Sequence, residues 1–201
     1  MSDRLVTAAE GFPVDLDLAK DHLLIDHAAD DVLIEQIIGA ATKYAEQFCN
    51  RGFVEQEWQA LFPAWPTQPC GAPPRDVYLE LSRGNLFDAA LVEVEYVDST
   101  GAVQTLDDSV YLIDDASVPG RIRLAPDQSW PELQSRWDAV RVKYTVGWDA
   151  DDVPEPIKQA ILLLIAQMYE NRTPEVTGTI VSPIQFSFEA LLSTYRIVSI
   201  Q

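Results

Sequence analysis

The histidines and cysteines are the side chains most able to bind a metal or attack a substrate. His22 and His27 lie five residues apart, whereas two ligands on one helix face are spaced four apart, and no HExxH motif surrounds them. Cys49 ends an amphipathic helical pattern, where a small buried side chain is expected. Cys70 lies in a proline-rich stretch with no identifiable base. These residues predict neither a metal site nor a catalytic nucleophile.

Adjacent aspartates are the other candidates, since paired carboxylates can bind Mg²⁺ or act as general acid and base. Asp and Glu make up 32 of the 201 residues, so adjacent acids arise by chance. The chain also lacks the GxGxxG and GxxxxGK[ST] phosphate loops and the GxSxG motif. We therefore predict a protein that is not an enzyme and needs no cofactor. The pairs are Asp30-Asp31, Asp107-Asp108, Asp114-Asp115 and Asp151-Asp152.

Composition excludes several classes of protein. Apolar residues make up 47% of the chain and charged residues 23%, which is typical of globular proteins. The formal net charge of −18 argues against a protein that grips nucleic acid through a basic face. The longest apolar run, Ala160–Ala166, is far shorter than the roughly 20 residues that span a bilayer. The N-terminal residues have no signal-peptide pattern, so we expect neither a secreted nor a membrane protein.

Two helices are predicted in the N-terminal quarter of the chain. Asp15 or Asp17 can cap the first helix, whose apolar stripe is Leu16, Ala19, Leu23 and Leu24. The second begins between Asp26 and Asp31 and ends near Asn50, with Gly52 as a left-handed terminator. Its apolar residues follow the spacing of a half-buried helix. They are Leu33, Ile34, Ile37, Ile38, Ala41, Ala45 and Phe48.

The middle of the chain alternates apolar and polar residues, which predicts an antiparallel sheet or sandwich. Ser99-Thr100-Gly101 reads as the turn of a hairpin between two of these strands. The predicted strands are Val54–Phe62, Val77–Leu81, Leu91–Val97, Ala102–Leu106, Val110–Ile113, Gly120–Leu124 and Val140–Val146.

All five tryptophans lie in this middle segment, where we expect most of them to be core residues. Trp65 lies in the Pro63–Pro74 stretch, whose prolines exclude a helix. We therefore predict Trp65 to be an exposed contact residue.

Helical periodicity returns after Val153. The pattern predicts a helix over Glu155–Glu170, with Pro156 tolerated in its first turn and Asn171 at its end. Phe188–Tyr195 reads as one or two further turns and Arg196–Ile200 as an extended tail. The fold class is therefore α+β, a small helical bundle with an inserted antiparallel β-rich region. We place the helical parts at 1–52 and 151–201 and the insertion at 53–150.

The order of these motifs resembles that of the head–tail connector (adaptor) proteins of tailed phages, including those of gene transfer agents. The first helix carries the leucine-rich turn Ala19-Lys20-x-His22-Leu23-x-x-Asp26, followed by an acidic step and a long helix. Similar stretches continue, in order, along nearly the whole chain. They are Asp30–Ile34, Ala41–Glu46, Tyr96–Asp98 with Gly101, Pro119–Ile122, Trp130-Pro131, Val140–Val142 with Gly147, Val153–Ile161, Tyr169–Arg172 and Glu189–Arg196.

The resemblance implies a structural role in the neck of a phage or phage-like particle assembled in the bacterial cytoplasm. Such connectors form a ring, commonly of twelve copies, between the portal protein and the stopper or tail completion protein. DNA passes through the lumen without specific binding. The resemblance also implies that the C-terminal segment docks on the portal, here Tyr195, Arg196, Ile197, Val198 and Ile200. The loops Pro63–Pro74 and Pro174–Pro183 are candidates for the lumen or for a neighbouring copy.

Other interpretations stay open at this point. The acidic charge suits a lumen that must not hold DNA, but it also serves solubility. The tail has the composition of a strand that joins a partner's sheet, but it can equally pack on its own subunit. The alternative functions are a small hydrolase that uses paired acids and a free-standing cytoplasmic binding module.

Overall fold

The structure, a computed structural model, describes residues 2–67, 77–171 and 185–197. The described residues divide into two units, each made from chain segments that are far apart in sequence. Residues among 1–9 and 55–147 form the sheet unit, and residues among 10–54 and 148–200 form the helix unit.

The sheet unit contains two antiparallel sheets. In the described part of the chain their strands are β1 (Ser2–Thr7), β2 (Gln56–Phe62), β3 (Leu79–Leu81), β4 (Glu93–Val97), β5 (Val103–Thr105), β6 (Tyr111–Asp114), β7 (Gly120–Leu124) and β8 (Val140–Val146). The larger sheet has the order β1-β2-β8-β4-β5, and the smaller has the order β3-β7-β6. The central strand β8 pairs with β2 on one side and with β4 on the other.

The strand predictions are largely confirmed. Apolar and polar residues alternate along most of these strands, and this two-residue period is the signal from which they were predicted. β7 and β8 begin and end at the predicted residues. β4 and β5 form the predicted hairpin, with Gly101 at a φ of 91° in its turn. Leu91 lies outside β4, in a 3-10 turn that the Asp88 carboxylate caps.

One hydrophobic core joins the two sheets. It buries the inward side chains of β8, the small sheet's Leu79, Leu81 and Ile122, and Val94 of β4. Fully burying one such side chain contributes about 1.5–3 kcal/mol. The two sheets therefore stabilise each other through these contacts.

Trp65 belongs to this core, so the prediction that it is an exposed contact residue was wrong. Its ring stacks on Trp130, with centroids 4.3 Å apart and planes 8° from parallel. Its Nε1 donates a hydrogen bond to the Pro131 carbonyl at 2.9 Å. The residues after β2 return to the sheet because an indole with a satisfied N–H is stabilised by burial.

Strand β1 is the element that the sequence analysis did not assign. It pairs with β2, and the register shifts between Leu5 and Thr7. Five of its six residues are exposed, so it has no apolar face that alternation could have indicated. Cross-strand pairs hold it instead: Arg4 donates to Gln59 at 2.7 Å and Thr7 to Glu57 at 3.0 Å.

Four helices form the described part of the helix unit. They are α1 (Leu16–Leu23), α2 (Asp31–Cys49), α3 (Glu155–Glu170) and α4 (Gln185–Ser193). Asp15 caps α1 as predicted and accepts a hydrogen bond from the Leu18 N–H at 2.7 Å. The predicted bounds of α3 are confirmed. Together these helices give the predicted α+β class.

Both N-terminal helices end in a left-handed residue, and the predicted end of α2 near Asn50 is confirmed, although Gly52 is not its left-handed terminator. α1 ends at Leu23, and Leu24 is left-handed with a φ of 57° and 91% exposed, so its place on the buried stripe was wrong. α2 ends with Asn50 at a φ of 52°, not with Gly52. Asparagine tolerates this conformation through its short polar side chain, so the helix terminates before Gly52.

Helices α2 and α3 run antiparallel and share the core of the helix unit. The Tyr169 hydroxyl donates to the Asp30 carboxylate at 2.5 Å, which places the end of α3 beside the start of α2. Lys20 forms an ion pair with Asp31 at 2.7 Å and ties α1 to the same place. The buried residues of this core include Ile34, Ile37, Ile38, Ala41, Ile157, Ile161, Leu164 and Ile165.

We expect Gly120→Ala to destabilise the protein by about 1–3 kcal/mol. A Cβ at Gly120 would lie 2.8 Å from Leu86 Cγ in the sheet core, so buried atoms must shift. Gly39→Ala is the matched control. Gly39 lies within α2, and a Cβ there would lie 3.5 Å from the Phe12 ring, which is an ordinary van der Waals distance. Removing a glycine from a helix interior should stabilise by about 0.5–1 kcal/mol. Denaturant unfolding measures both, and equal stability for the two variants would contradict this account of the core.

Candidate functional site

Two of the paired aspartates, Asp107 and Asp114, bind nearby serines, whereas Asp30 and Asp31 bind Tyr169 and Lys20. In the described residues, no group of three or more His, Cys, Asp or Glu side chains could hold a metal ion. Asp107 accepts hydrogen bonds from the N–H and hydroxyl of Ser109, and Asp114 accepts from those of Ser117. These hydrogen bonds lower the pKa of both carboxyls, so both are ionised at neutral pH. A carboxylate held in this state cannot act as a general acid.

The candidate ligands and nucleophile occupy ordinary structural positions. His22 and His27 are both exposed on the surface of the helix unit. Cys49 is fully buried at the end of α2, and its thiol donates to the Leu192 carbonyl at 3.6 Å. Burial raises the pKa of the Cys49 thiol to about 11, so it stays protonated at neutral pH. The buried role predicted for Cys49 is confirmed.

The described residues of the predicted portal-docking tail, 195–197, contact their own subunit. Ile197 is buried, and its N–H donates to the Cys49 carbonyl at 2.9 Å. Arg196 is exposed, with its guanidinium carbon 5.3 Å from the centre of the Phe48 ring. Tyr195 is half-buried, and its N–H donates to the Leu192 carbonyl. These contacts anchor the chain as far as Ile197.

Several predicted contact residues lie outside the described residues. They are Val198 and Ile200 of the tail, Cys70 and the later part of the Pro63–Pro74 loop, and the whole Pro174–Pro183 region. Their roles stay predictions.

The surface feature that the sequence analysis missed is a short loop before β8, residues 135–138, which we call the tryptophan tip. Trp137 is 90% exposed at this tip. The Asp138 carboxylate accepts hydrogen bonds from Arg136, through Nε at 2.5 Å and Nη2 at 2.8 Å, and from Arg141 at 2.7 Å. An arginine on each side of one acid was the only signal in the sequence, and it carries no information about exposure.

The charges of the tip fix its geometry. The hydrogen bond from Arg136 is the main reason that the pKa of the Asp138 carboxyl falls to about 2, and Arg141 adds to the effect. Bidentate arginine–carboxylate pairs are among the more strongly directional contacts in proteins. The tip is therefore an ordered surface projection that exposes a large aromatic ring.

In the described residues, no helix is long and apolar enough to cross a membrane.

Comparison with known families identifies a match in the N-terminal third of the chain. Residues 13–76 match the family model described as phage gp6-like head-tail connector protein. This match confirms the resemblance noted in the sequence. No curated protein matches the chain.

Solved structures extend the likeness to the whole fold. A chain in the neck of an empty gene transfer agent (GTA) particle, computed with C6 symmetry, has a TM-score of 0.75 at 20% identity. A chain in the virion of a native GTA particle has a TM-score of 0.76 at 21% identity. A chain in the neck of a native GTA particle, computed with C12 symmetry, has a TM-score of 0.72 at 20% identity. Each match covers 100% of this chain and 98% of the other.

We expect Asp138→Asn to remove a pH-dependent part of the stability. Because the folded pKa is lowered to about 2, the ionised carboxylate stabilises the fold above the ordinary pKa of about 3.9. This contribution is lost as pH falls through about 2. The stability difference between wild type and variant should be constant above about pH 4 and shrink below it. Asp127→Asn, at an exposed aspartate upstream in the sequence, is the charge control, and an equal pH profile for both variants would contradict the role of Asp138.

Proposed function

We infer that this chain is a structural head–tail connector in the neck of a tailed phage or a gene transfer agent. The observation that carries this conclusion is the match of residues 13–76 to the head-tail connector family. The fold supports it, because the likeness to chains of GTA neck and virion structures runs over the full length. The structural roles of the acid pairs and of Cys49 fit a protein that acts through contacts.

A connector ring needs two different surfaces on each copy, because a closed ring of more than two subunits uses heterologous contacts. This chain has large apolar side chains on the surface of both units. Leu24 and Val32 are exposed on the helix unit and Trp137 on the sheet unit. We propose that the ring has twelve copies. The neck structures that contain similar chains were computed with C6 and C12 symmetry, and twelve copies are compatible with both.

The charge of the chain supports a lumen through which DNA slides. A net charge of −18 on each copy prevents the many Lys and Arg contacts that hold phosphates. Hydrogen bonds also keep the pKa values of the Asp98 and Asp138 carboxyls near 2, so these groups stay ionised over a wide pH range. We propose that DNA passes through such a ring without specific binding.

We propose that the C-terminal segment docks on the portal protein. Ile197 packs in its own helix unit, so the segment is anchored there as far as Ile197. Arg196 is exposed at this point and can contact an acidic partner. The apolar residues that follow, Val198 and Ile200, suit addition to a partner's sheet. On the other side of the ring we expect the stopper or tail completion protein, with assembly in the bacterial cytoplasm.

The two alternative functions have less support. A hydrolase that uses paired acids needs one carboxyl with a raised pKa, whereas the pKa values of Asp107 and Asp114 are lowered. A free-standing binding module does not account for the match to the connector family.

We expect deletion of residues 198–201 to weaken binding to the portal protein of the same particle at least tenfold. The thermal unfolding temperature should stay unchanged, because the contacts of Ile197 remain. Ile197→Ala is the converse control, since it removes a buried side chain and should cost about 2–5 kcal/mol of stability. Pull-down and calorimetric titration with purified portal measure the binding. Wild-type affinity after the deletion would contradict docking through this segment.

We expect one copy of this chain for each portal subunit in the neck. Native mass spectrometry of purified necks measures the ratio, with the portal as internal standard. Deleting the gene should give particles that package DNA but do not retain it, because the ring between portal and tail is missing. A single copy per particle, or normal DNA retention without the chain, would contradict the connector role.

A further inference from the structure

Arg51, which follows the left-handed residue at the end of α2, is a buried cation without a counter-charge in the described residues. Only 9% of the residue is exposed, and its Nε is buried without a hydrogen-bond partner. None of the ion pairs between described residues includes it. A buried charge is costly unless it is paired, so Arg51 indicates an anion that comes from outside the subunit.

The helix unit holds Arg51 in place without neutralising it. The guanidinium carbon lies 5.2 Å from the centre of the Trp148 ring, and the Arg51 N–H donates to the Glu46 carbonyl at 3.0 Å. The Glu46 carboxylate itself accepts from the Phe53 N–H at 3.1 Å and pairs with Lys43 at 3.4 Å. The carboxylate in the last turn of α2 therefore serves other groups.

The titratable groups that act on Arg51 include no carboxylate among the described residues. Burial lowers the pKa of the Arg51 guanidinium, and the charges of Cys49 and Tyr195 oppose this effect. Burial also raises the pKa of the Cys49 thiol to about 11, so at neutral pH this thiol carries no charge that could pair with Arg51.

A second arginine lies near the same end of α2. The guanidinium carbon of the exposed Arg196 is 5.3 Å from the centre of the Phe48 ring, and the neighbouring Ile197 N–H donates to the Cys49 carbonyl. The charges of Arg51 and Arg196 both act on the Cys49 thiol, where they oppose the larger effect of burial on its pKa. Arg196 also takes no part in the ion pairs between described residues.

We propose that Arg51 and Arg196 bind a carboxylate of the portal protein, an Asp or Glu side chain on the face that receives the C-terminal segment. The proposal rests on the connector function and on docking through that segment, to which Arg196 belongs. Exposed Arg196 attracts the acidic partner, and Arg51 supplies a guanidinium that is already desolvated. The small exposed part of Arg51 suits one side chain better than the backbone of duplex DNA.

The test compares Arg51→Met with Arg123→Met, because each removes one positive charge and Arg123 is exposed on the sheet unit. In calorimetric titration with purified portal of the same particle, Arg51→Met should bind at least about 30-fold more weakly than wild type. Arg123→Met should bind within about twofold of wild type. The unfolding temperature of Arg51→Met should stay unchanged or rise, because an apolar side chain replaces an unpaired buried charge. Wild-type affinity of Arg51→Met would overturn the proposal.

A double-mutant cycle identifies the acid and separates binding from folding. Each exposed Asp or Glu of the portal is changed to Asn or Gln and titrated with wild type and with Arg51→Met. One portal variant should weaken wild type as much as Arg51→Met does, with no further loss when the two changes are combined. Additive effects for every portal acid would assign Arg51 to the fold and overturn the contact, even where Arg51→Met lowers the unfolding temperature.

Two further measurements distinguish other sources of the anion. Sedimentation velocity measures association between copies of this chain, and titration with a short DNA duplex measures phosphate binding. Arg51→Met should change neither. An effect on either one with wild-type portal affinity would overturn the portal contact and leave the connector function intact. Absence of the chain from particles would overturn the connector function itself.

Discussion

The fold depends on one constraint: the apolar faces of α2 and α3 must be removed from water against each other. The two helices lie far apart in sequence, and α3 packs on α4 as well as on α2. Packing them antiparallel therefore holds residues among 10–54 and 148–200 in one unit. The Tyr169–Asp30 and Lys20–Asp31 contacts fix this arrangement where the helices begin and end.

The sequence predicts well those elements whose burial follows a period. β7, β8 and α3 have the predicted bounds because apolar residues recur at two or at three to four residues along them. β1 was not predicted because backbone pairing and polar cross-strand contacts hold it in the sheet. Such contacts need no alternation of apolar and polar residues, so the sequence carries no periodic signal for this strand. The left-handed conformation of Leu24 was not predicted because this conformation is intrinsically unfavourable for leucine, so no propensity rule assigns it.

The candidate site shows the same limit. The buried position predicted for Cys49 is confirmed, and Asp107 and Asp114 accept hydrogen bonds from the nearby Ser109 and Ser117. The prediction that Trp65 is exposed was wrong, and the exposed Trp137 was not singled out, because proline content says where a helix cannot form and not what a ring contacts. Burial of a single side chain depends on residues distant in sequence, here Trp130 for Trp65. The proposed connector function therefore rests on the order of motifs and on the fold more than on any single residue.

The irregular edge strand β1 affects how this chain can pair with strands of other chains. An open edge strand can recruit a strand from any other chain and so start aggregation. In this protein the edge carries Asp3 and Arg4, and the irregularity between Leu5 and Thr7 interrupts its regular row of backbone donors and acceptors. These features disfavour strand pairing between copies of this chain and so oppose aggregation.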